Sequence, residues 1–434
     1  MADQNPRQIA LRVLRQRAAG GDFVEKQLET GLADAALAPN DRALCQELVY
    51  GVVRWQATLD WLIARKTQGR AQKEALQCLL RLGLYQLFWL DRVPDHAAVN
   101  ETVELAKRAG FGAQAGFVNA VLRGYLRERA ATEQLLAELQ TSQPHLGCSH
   151  PEWLWARWRD RWGAEQTAQL LAWNNSPPKT YARVNTLKTD PGPLLACWRE
   201  QEDVAYDFCL RDWTGESVVF ELKSHPPLLA LPSFQQGLFY VQDPSTLLAV
   251  RELNPQPGET VLDLCAAPGG KTTFIAQLVR NQGRVVAGDT SPERLRLLQQ
   301  NCARLGVTCV EPVLLPDAPQ FAIPGGPFDR ILVDAPCSNT GVLRRRVDLR
   351  WRLRPEEIAR LRAAQLRLLR LAAARLRPGG TLVYSTCSLE PEENGSVVDE
   401  FQAAQAALKL EKTRELFPPA DQVDGAFVAR WVSG

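Results

Sequence analysis

Over the first 140 residues apolar side chains return every third or fourth position, as in Leu44, Leu48 and Val52 and again in Leu76, Leu79, Leu80, Leu84 and Leu87. That period lines one face of a helix. Glycine and proline fall at breaks such as Arg92-Val-Pro-Asp95 and Ala109-Gly-Phe-Gly112, so residues 1–140 are expected to form an all-α bundle. Residues 141–235 are mixed. A Trp-rich helical stretch from Pro151 to Trp162 precedes Asn174-Asn-Ser-Pro-Pro178, and Thr180 to Leu187 alternates like a short strand. A small α+β domain is expected there. Arg183 and Asn185, two residues apart, share one face of that strand and are candidate RNA contacts.

From residue 236 to 434 strands and helices alternate. Strands are expected at Thr260–Cys265, Arg284–Asp289, Val310–Leu315, Asp329–Asp334 and Thr381–Thr386, and near 408–416 and 426–433. Helices are expected at Gly270–Asn281, Pro292–Leu305, Pro355–Leu376 and Glu392–Ala407. This alternation predicts a doubly wound, largely parallel α/β sheet covered on both faces.

Composition narrows the function. With 45% hydrophobic and 23% charged residues the chain is a folded globular protein, and a net charge of +2 confines any nucleic-acid surface to a local patch. No apolar run is long enough for a membrane helix, and the start lacks a signal-peptide core. Ten cysteines without a CxxC suggest a reducing, cytoplasmic home rather than disulfides, and no metal is expected. All four histidines precede residue 226, which excludes Ser-His-Asp and Cys-His catalysis within the C-terminal half.

Ligands of doubly wound sheets sit beyond the carboxyl ends of the strands. The stations there are Cys265-Ala-Ala-Pro-Gly-Gly-Lys271, Asp289, Asp317, Asp334-Ala-Pro-Cys-Ser338 and Thr386-Cys-Ser388. Gly269 and Gly270 let backbone approach a ligand, and an acid at Asp289 suits the hydroxyls of a ribose. Turn plus acid indicates an adenosine-containing ligand, either a dinucleotide or S-adenosylmethionine. A dehydrogenase would want a histidine, tyrosine or lysine relay; an amino-methylating enzyme would carry a Pro-Pro-aromatic sequence after the fourth strand. Here that strand leads to Cys337 and the fifth to Cys387. Paired cysteines suit methylation of a pyrimidine at C5, where a thiolate adding to C6 makes C5 nucleophilic. Asp334 would hold the N3/N4 edge of the base, and Lys271, the only lysine between 224 and 408, either faces the same base or pairs with an Asp. Cys45, Cys78, Cys197, Cys209, Cys302 and Cys309 are expected to be buried packing residues.

These residues resemble the RNA cytosine-C5 methyltransferases of the RsmB (Fmu/Sun) group through Pro268-Gly-Gly-Lys271, Asp334-Ala-Pro-Cys-Ser338 and Ser385-Thr-Cys-Ser388. Leu82-Gly-Leu-Tyr-Gln86, Val93-Pro-Asp-His-Ala97 and Phe117-Val-Asn-Ala-Val-Leu-Arg123 resemble the group's NusB-like helical domain, and Arg183-Val-Asn-Thr186 and Val241-Gln-Asp-Pro-Ser245 its middle segments. The resemblance implies a NusB-like domain for RNA or a partner, a small middle domain and a Rossmann-like class I methyltransferase domain. It implies methylation of 16S ribosomal RNA, with cytosine 967 the group's usual target. Cys387 would be the nucleophile and Cys337 would assist product release. S-adenosylmethionine would lie along Cys265, Ala266, Ala267, Pro268, Gly269, Gly270 and Lys271, with Asp289 on its ribose, Asp317 beside its adenine and Asp334 near its methyl end. The group shows Gly/Ala-Asp-Ala/Gly-Arg around the third acid, where this chain has Pro316-Asp-Ala-Pro319.

Between Gly341 and Gly380 stand 12 arginines and three acids. Arg344, Arg345 and Arg346, close after Cys337, are therefore expected to contact RNA phosphates. An RNA-binding assembly factor without catalysis and a nicotinamide dehydrogenase are the competing readings.

Overall fold

The structure, a computed structural model, describes residues 5–33, 35–215, 218–318 and 322–434. They fall into two compact units, 1–176 with 343–352, and 177–342 with 353–434.

The first unit is helical. Its main helices are Pro6–Ala18, Val24–Ala33, Pro39–Arg54, Gln56–Thr67, Glu74–Trp89, Asp95–Arg108, Ala115–Arg127, Arg129–Ser142 and Glu152–Asn175. Glu74–Trp89 is its most buried helix, and the periodic leucines Leu76, Leu79, Leu80, Leu84 and Leu87 pack in one core with Leu48 and Val52. The helical unit thus extends past 140, because the Trp-rich segment continues to Asn175, turning at Gly163 in the left-handed region (φ 79°).

Residues 343–352 also belong to this unit, which their sequence position within the C-terminal half hides. Arg350 is buried and donates to the carbonyls of Ser149 (3.1 Å) and Asn174 (3.0 Å) and to Asn175 Oδ1 (2.9 Å). Asp348, also buried, accepts from the Val24 backbone N–H at 3.0 Å and from Arg17 and Arg352.

The second unit holds two sheets. The smaller, antiparallel sheet has β1 (Thr180–Val184), β2 (Ala205–Phe208), β3 (Val219–Ser224) and β4 (Phe239–Val241) in the order β2-β3-β1-β4, with helix Pro191–Glu200 covering it through Trp198. The larger contains β5 (Thr260–Leu264), β6 (Arg284–Asp289), β7 (Val310–Leu314), β8 (Phe328–Asp334), β9 (Leu376–Thr386), β10 (Leu408–Leu416) and β11 (Ala426–Ser433), ordered β10-β11-β9-β8-β5-β6-β7. β5 to β9 pair in parallel; β11 runs antiparallel to β9 and β10. Valine, leucine and isoleucine runs such as Ile331-Leu332-Val333 are buried on both faces, as parallel strands under helices must be.

The chain winds from β5 outward to β7 and returns at β8, so the strand order reverses between β5 and β8. In doubly wound sheets ligands sit at the carboxyl ends beside such a reversal. Helix Pro292–Leu305 is started by Ser291 Oγ accepting from Arg294 N–H and stopped by Gly306 in the left-handed region (φ 71°). Several boundaries differ from the expected ones, among them the end of the helix that starts at Gly270, at Leu278 rather than Asn281, and the start of β9, at Leu376 rather than Thr381. Helix Pro355–Ala373 ends before Leu376 because Phe328 N–H bonds Arg375 O at 2.9 Å, starting the β8–β9 ladder upstream of the glycines. The helix expected over Glu392–Ala407 spans Gly395–Ala404; before it, the side chains of Glu393 and Asn394 bind Ser338, Thr386 and Ser388. Among the described residues no helix is long and apolar enough to cross a membrane.

Candidate active site

The first station follows β5. Cys265 takes φ 63° and Gly269 φ 104°; a Cβ on Gly269 would stand 3.1 Å from Leu298 Cγ, so glycine lets the turn pass over helix Pro292–Leu305. Asp289, buried at the end of β6, ties down this turn by accepting from Ala267 N–H at 3.1 Å, while its other oxygen accepts from Ser291 N–H at 3.0 Å. Asp263, fully buried on β5, accepts from Thr272 Oγ1 at 2.6 Å. Its second oxygen has no hydrogen-bond partner among the described atoms. Burial raises its carboxyl to about 7, with Thr272 opposing and the charges of Asp334 and Asp289 adding to the rise. Burial and the same acids push the Cys265 thiol to about 12, which keeps it an unreactive wall.

Registers bring the next stations together. β8 and β9 are paired with Asp334 opposite Ser385, so the chain leaves both strands at one level. The Cys337 and Cys387 sulfurs lie 3.4 Å apart. Cys337 is buried and Cys387 half-buried. The contact with Cys387, then burial and the charges of Cys387 and Glu393, raises the Cys337 thiol well above its ordinary range, so at neutral pH it keeps its proton. Cys387 Sγ also faces Asn339 Oδ1 at 3.1 Å, and Asn339 Nδ2 donates to the Cys337 carbonyl at 2.6 Å.

Lys271 enters from the first station and donates to Asp334 Oδ2 at 2.8 Å. Burial opposes the ammonium charge, but Asp334 outweighs it and the lysine pKa is raised. Of the two readings for Lys271, partner of an Asp or cation toward the base, the structure shows the first.

Three expected RNA contacts are corrected. Arg183 is 1% exposed because its guanidinium is spent on Gln242, the Gly270 carbonyl (2.9 Å) and Thr273 Oγ1 (3.0 Å). Asn185 is buried, donating to the carbonyls of Gly237 and Leu305. Arg344 is buried with its guanidinium 4.1 Å from the centre of the Trp173 ring. All three hold the fold. Arg345 is half-buried, and Arg346 is exposed. Asp317 is exposed, beyond the end of β7.

Sequence reasoning missed Asn339 and Glu393, and it gave no role to Ser338 and Ser388, the serines that follow the cysteines in the motifs. Asn339 adjoins a motif already recognised. Glu393 carried no signal, since Pro391-Glu-Glu-Asn394 reads as a solvated helix start.

The donor set can be tested against S-adenosylmethionine, which carries a sulfonium and an ammonium. Three acids, Asp263, Asp289 and Asp334, line strand ends around one lysine, and Asp263 keeps a buried oxygen free to accept. An acid excess beside a glycine turn fits a ligand with two cationic groups.

Residues 250–432 match the family described as 16S rRNA methyltransferase RsmB/F. Residues 4–127 match the NusB family, and 150–207 the ferredoxin-like domain of RsmF/B-like methyltransferases. A probable ribosomal RNA small subunit methyltransferase B of Synechocystis is 39% identical over 402 residues, covering 91% of this chain and 88% of that protein. The ribosomal RNA small subunit methyltransferase B of Klebsiella pneumoniae is 36% identical over 96% of this chain and 97% of its own. A solved methyltransferase homolog from Pyrococcus horikoshii superposes with a TM-score of 0.59 at 31% identity, over 67% of this chain and 97% of that one.

Proposed function

The chain belongs to the ribosomal RNA small subunit methyltransferase B family, and on that premise we propose that it moves a methyl group from S-adenosylmethionine to C5 of a cytosine in 16S ribosomal RNA. Residues 265–271 would hold S-adenosylmethionine, with Asp289 toward its ribose and Asp317 toward its adenine, and when bound it would supply an electrophilic methyl group. The chain's own residues do the rest. The Cys387 sulfur bonds to C6 of the flipped-out base, pushing electrons onto C5 and N3. Asp334 accepts from the N4 amine, and Lys271 beside it offsets negative charge developing at N3. After C5 is methylated a water molecule acting as base takes the C5 proton, that C–H electron pair re-forms the C5–C6 double bond, and the C6–S bond breaks to release Cys387 as thiolate. Cys337, 3.4 Å away and holding its proton, is the group that assists this departure.

The 3.4 Å approach of two sulfurs at the carboxyl ends of β8 and β9 carries this reading, because neither packing nor cofactor binding requires two thiols there. An assembly factor would have no use for the pair. The test is a map of 5-methylcytosine in 16S RNA from cells lacking the protein, starting at the family's usual cytosine 967. One methylated cytosine should disappear and return on incubation with the protein and S-adenosylmethionine. An unchanged map would contradict the proposal.

A further inference from the structure

The residue after each cysteine of the pair is a serine, and one buried carboxylate binds both. Glu393 is 0% exposed. Its Oε2 accepts from Ser388 Oγ at 2.5 Å and from Ser338 Oγ, while Oε1 accepts from Ser338 N–H at 2.9 Å and Gln365 Nε2 at 3.0 Å. The two serine oxygens lie 3.0 Å apart. Burial raises the Glu393 carboxyl above its ordinary range, and the four donors that fill its acceptor positions oppose that rise. The Glu393 carbonyl is itself fixed by Tyr384 OH at 2.6 Å, and neighbouring Asn394 donates to the Ser388 carbonyl at 2.9 Å.

Burying a carboxylate is costly, and packing these loops together could be done with apolar side chains. What a carboxylate adds is one rigid point from which two separate strand-end loops are hung. We infer that Glu393 is a positioning residue that sets the separation of the Cys337 and Cys387 sulfurs, and through it the rate of the chemical step. The inference rests on the reading of the two cysteines as the reacting pair, and it extends that reading to a residue which touches neither substrate nor cofactor.

The test uses the full chain carrying Glu393→Gln, which keeps volume and one acceptor oxygen, beside Ser338→Ala, which deletes one of the ties without adding bulk. Two rates are read. The first is methyl transfer to 16S RNA, separated into kcat and KM. The second needs no RNA: diamide oxidises the two thiols to a disulfide, itself taking up the two electrons and two protons as it becomes the hydrazine, and the speed of this cross-link reports how often the sulfurs meet. Circular dichroism and cofactor affinity show that each variant is folded.

In a folded Glu393→Gln, kcat should fall about 100-fold with KM little changed, the loss expected when reacting groups are displaced by about an ångström. The cross-link should slow in step, and Ser338→Ala should lie between this variant and the unaltered protein. Unchanged cross-linking in either folded variant would overturn the positioning role, even with lowered activity. Loss of folding in both variants would also overturn it, since Glu393 would then be serving the whole unit. Slower cross-linking in the variants of a protein that never methylates cytosine would leave the clamp standing and remove only the catalytic reading.

Discussion

The sulfur of Cys337 lies 3.4 Å from that of Cys387, 50 residues away in the chain. Parallel pairing of β8 with β9 makes this possible, since it delivers two successive loops to the same edge of the sheet. The two thiols differ: Cys337 is the more deeply buried and has its pKa raised well above the ordinary range. The proposed roles give attack to the half-buried Cys387 and release to Cys337.

Replacement of Cys337 by alanine should therefore spare attack and block departure. A protein–RNA adduct that survives a denaturing gel should accumulate, and multiple turnover should cease. Appearance of free methylated RNA at the normal rate, without adduct, would remove Cys337 from the mechanism.

Lys271→Met should leave the fold nearly intact and lower kcat about 100-fold, the typical loss when one preorganised charge in an active site is deleted. The check is single-turnover methyl transfer alongside calorimetric cofactor binding. A variant that keeps its rate would mean that Lys271 only neutralises Asp334.

Asp263 makes a prediction about pH. Its folded pKa is raised from 3.8 to about 7, so the folded state retains a proton that the unfolded chain releases. Stability from this group is present in acid and is lost as pH rises between those two values. Asp263→Asn should abolish that component. The Tm of the unaltered protein, minus that of the variant, should fall across the interval and level off above it. Parallel Tm curves would show that Asp263 is ionised throughout.

The fold of the catalytic half was legible because parallel strands buried on both faces announce themselves as apolar runs such as Ile331-Leu332-Val333, and because Ser291-Pro292 and Gly306 mark a helix at both ends. The cysteines were legible because strand ends identify the reactive edge. Arginine misled. The basic run after Gly341 read as an RNA surface, yet Arg344 and Arg350 are buried in the helical unit, donating to carbonyls and covering an indole. Composition cannot distinguish an arginine that meets phosphate from one that satisfies buried carbonyls, because the same fork of donors serves both. Glu393 was illegible for the corresponding reason: a glutamate near a helix start is ordinarily solvated, and only the meeting of two loops turns it inward.

The central claim is a transient bond between Cys387 and a pyrimidine C6. It is tested most directly with 16S RNA carrying 5-fluorocytosine, whose fluorine cannot leave as a proton, so release stalls after methyl transfer. Mass spectrometry of the digested complex should find the methylated base attached to the peptide that contains Cys387. An attachment at Cys337, or full methylation of ordinary RNA by a protein that never forms the adduct, would contradict the account.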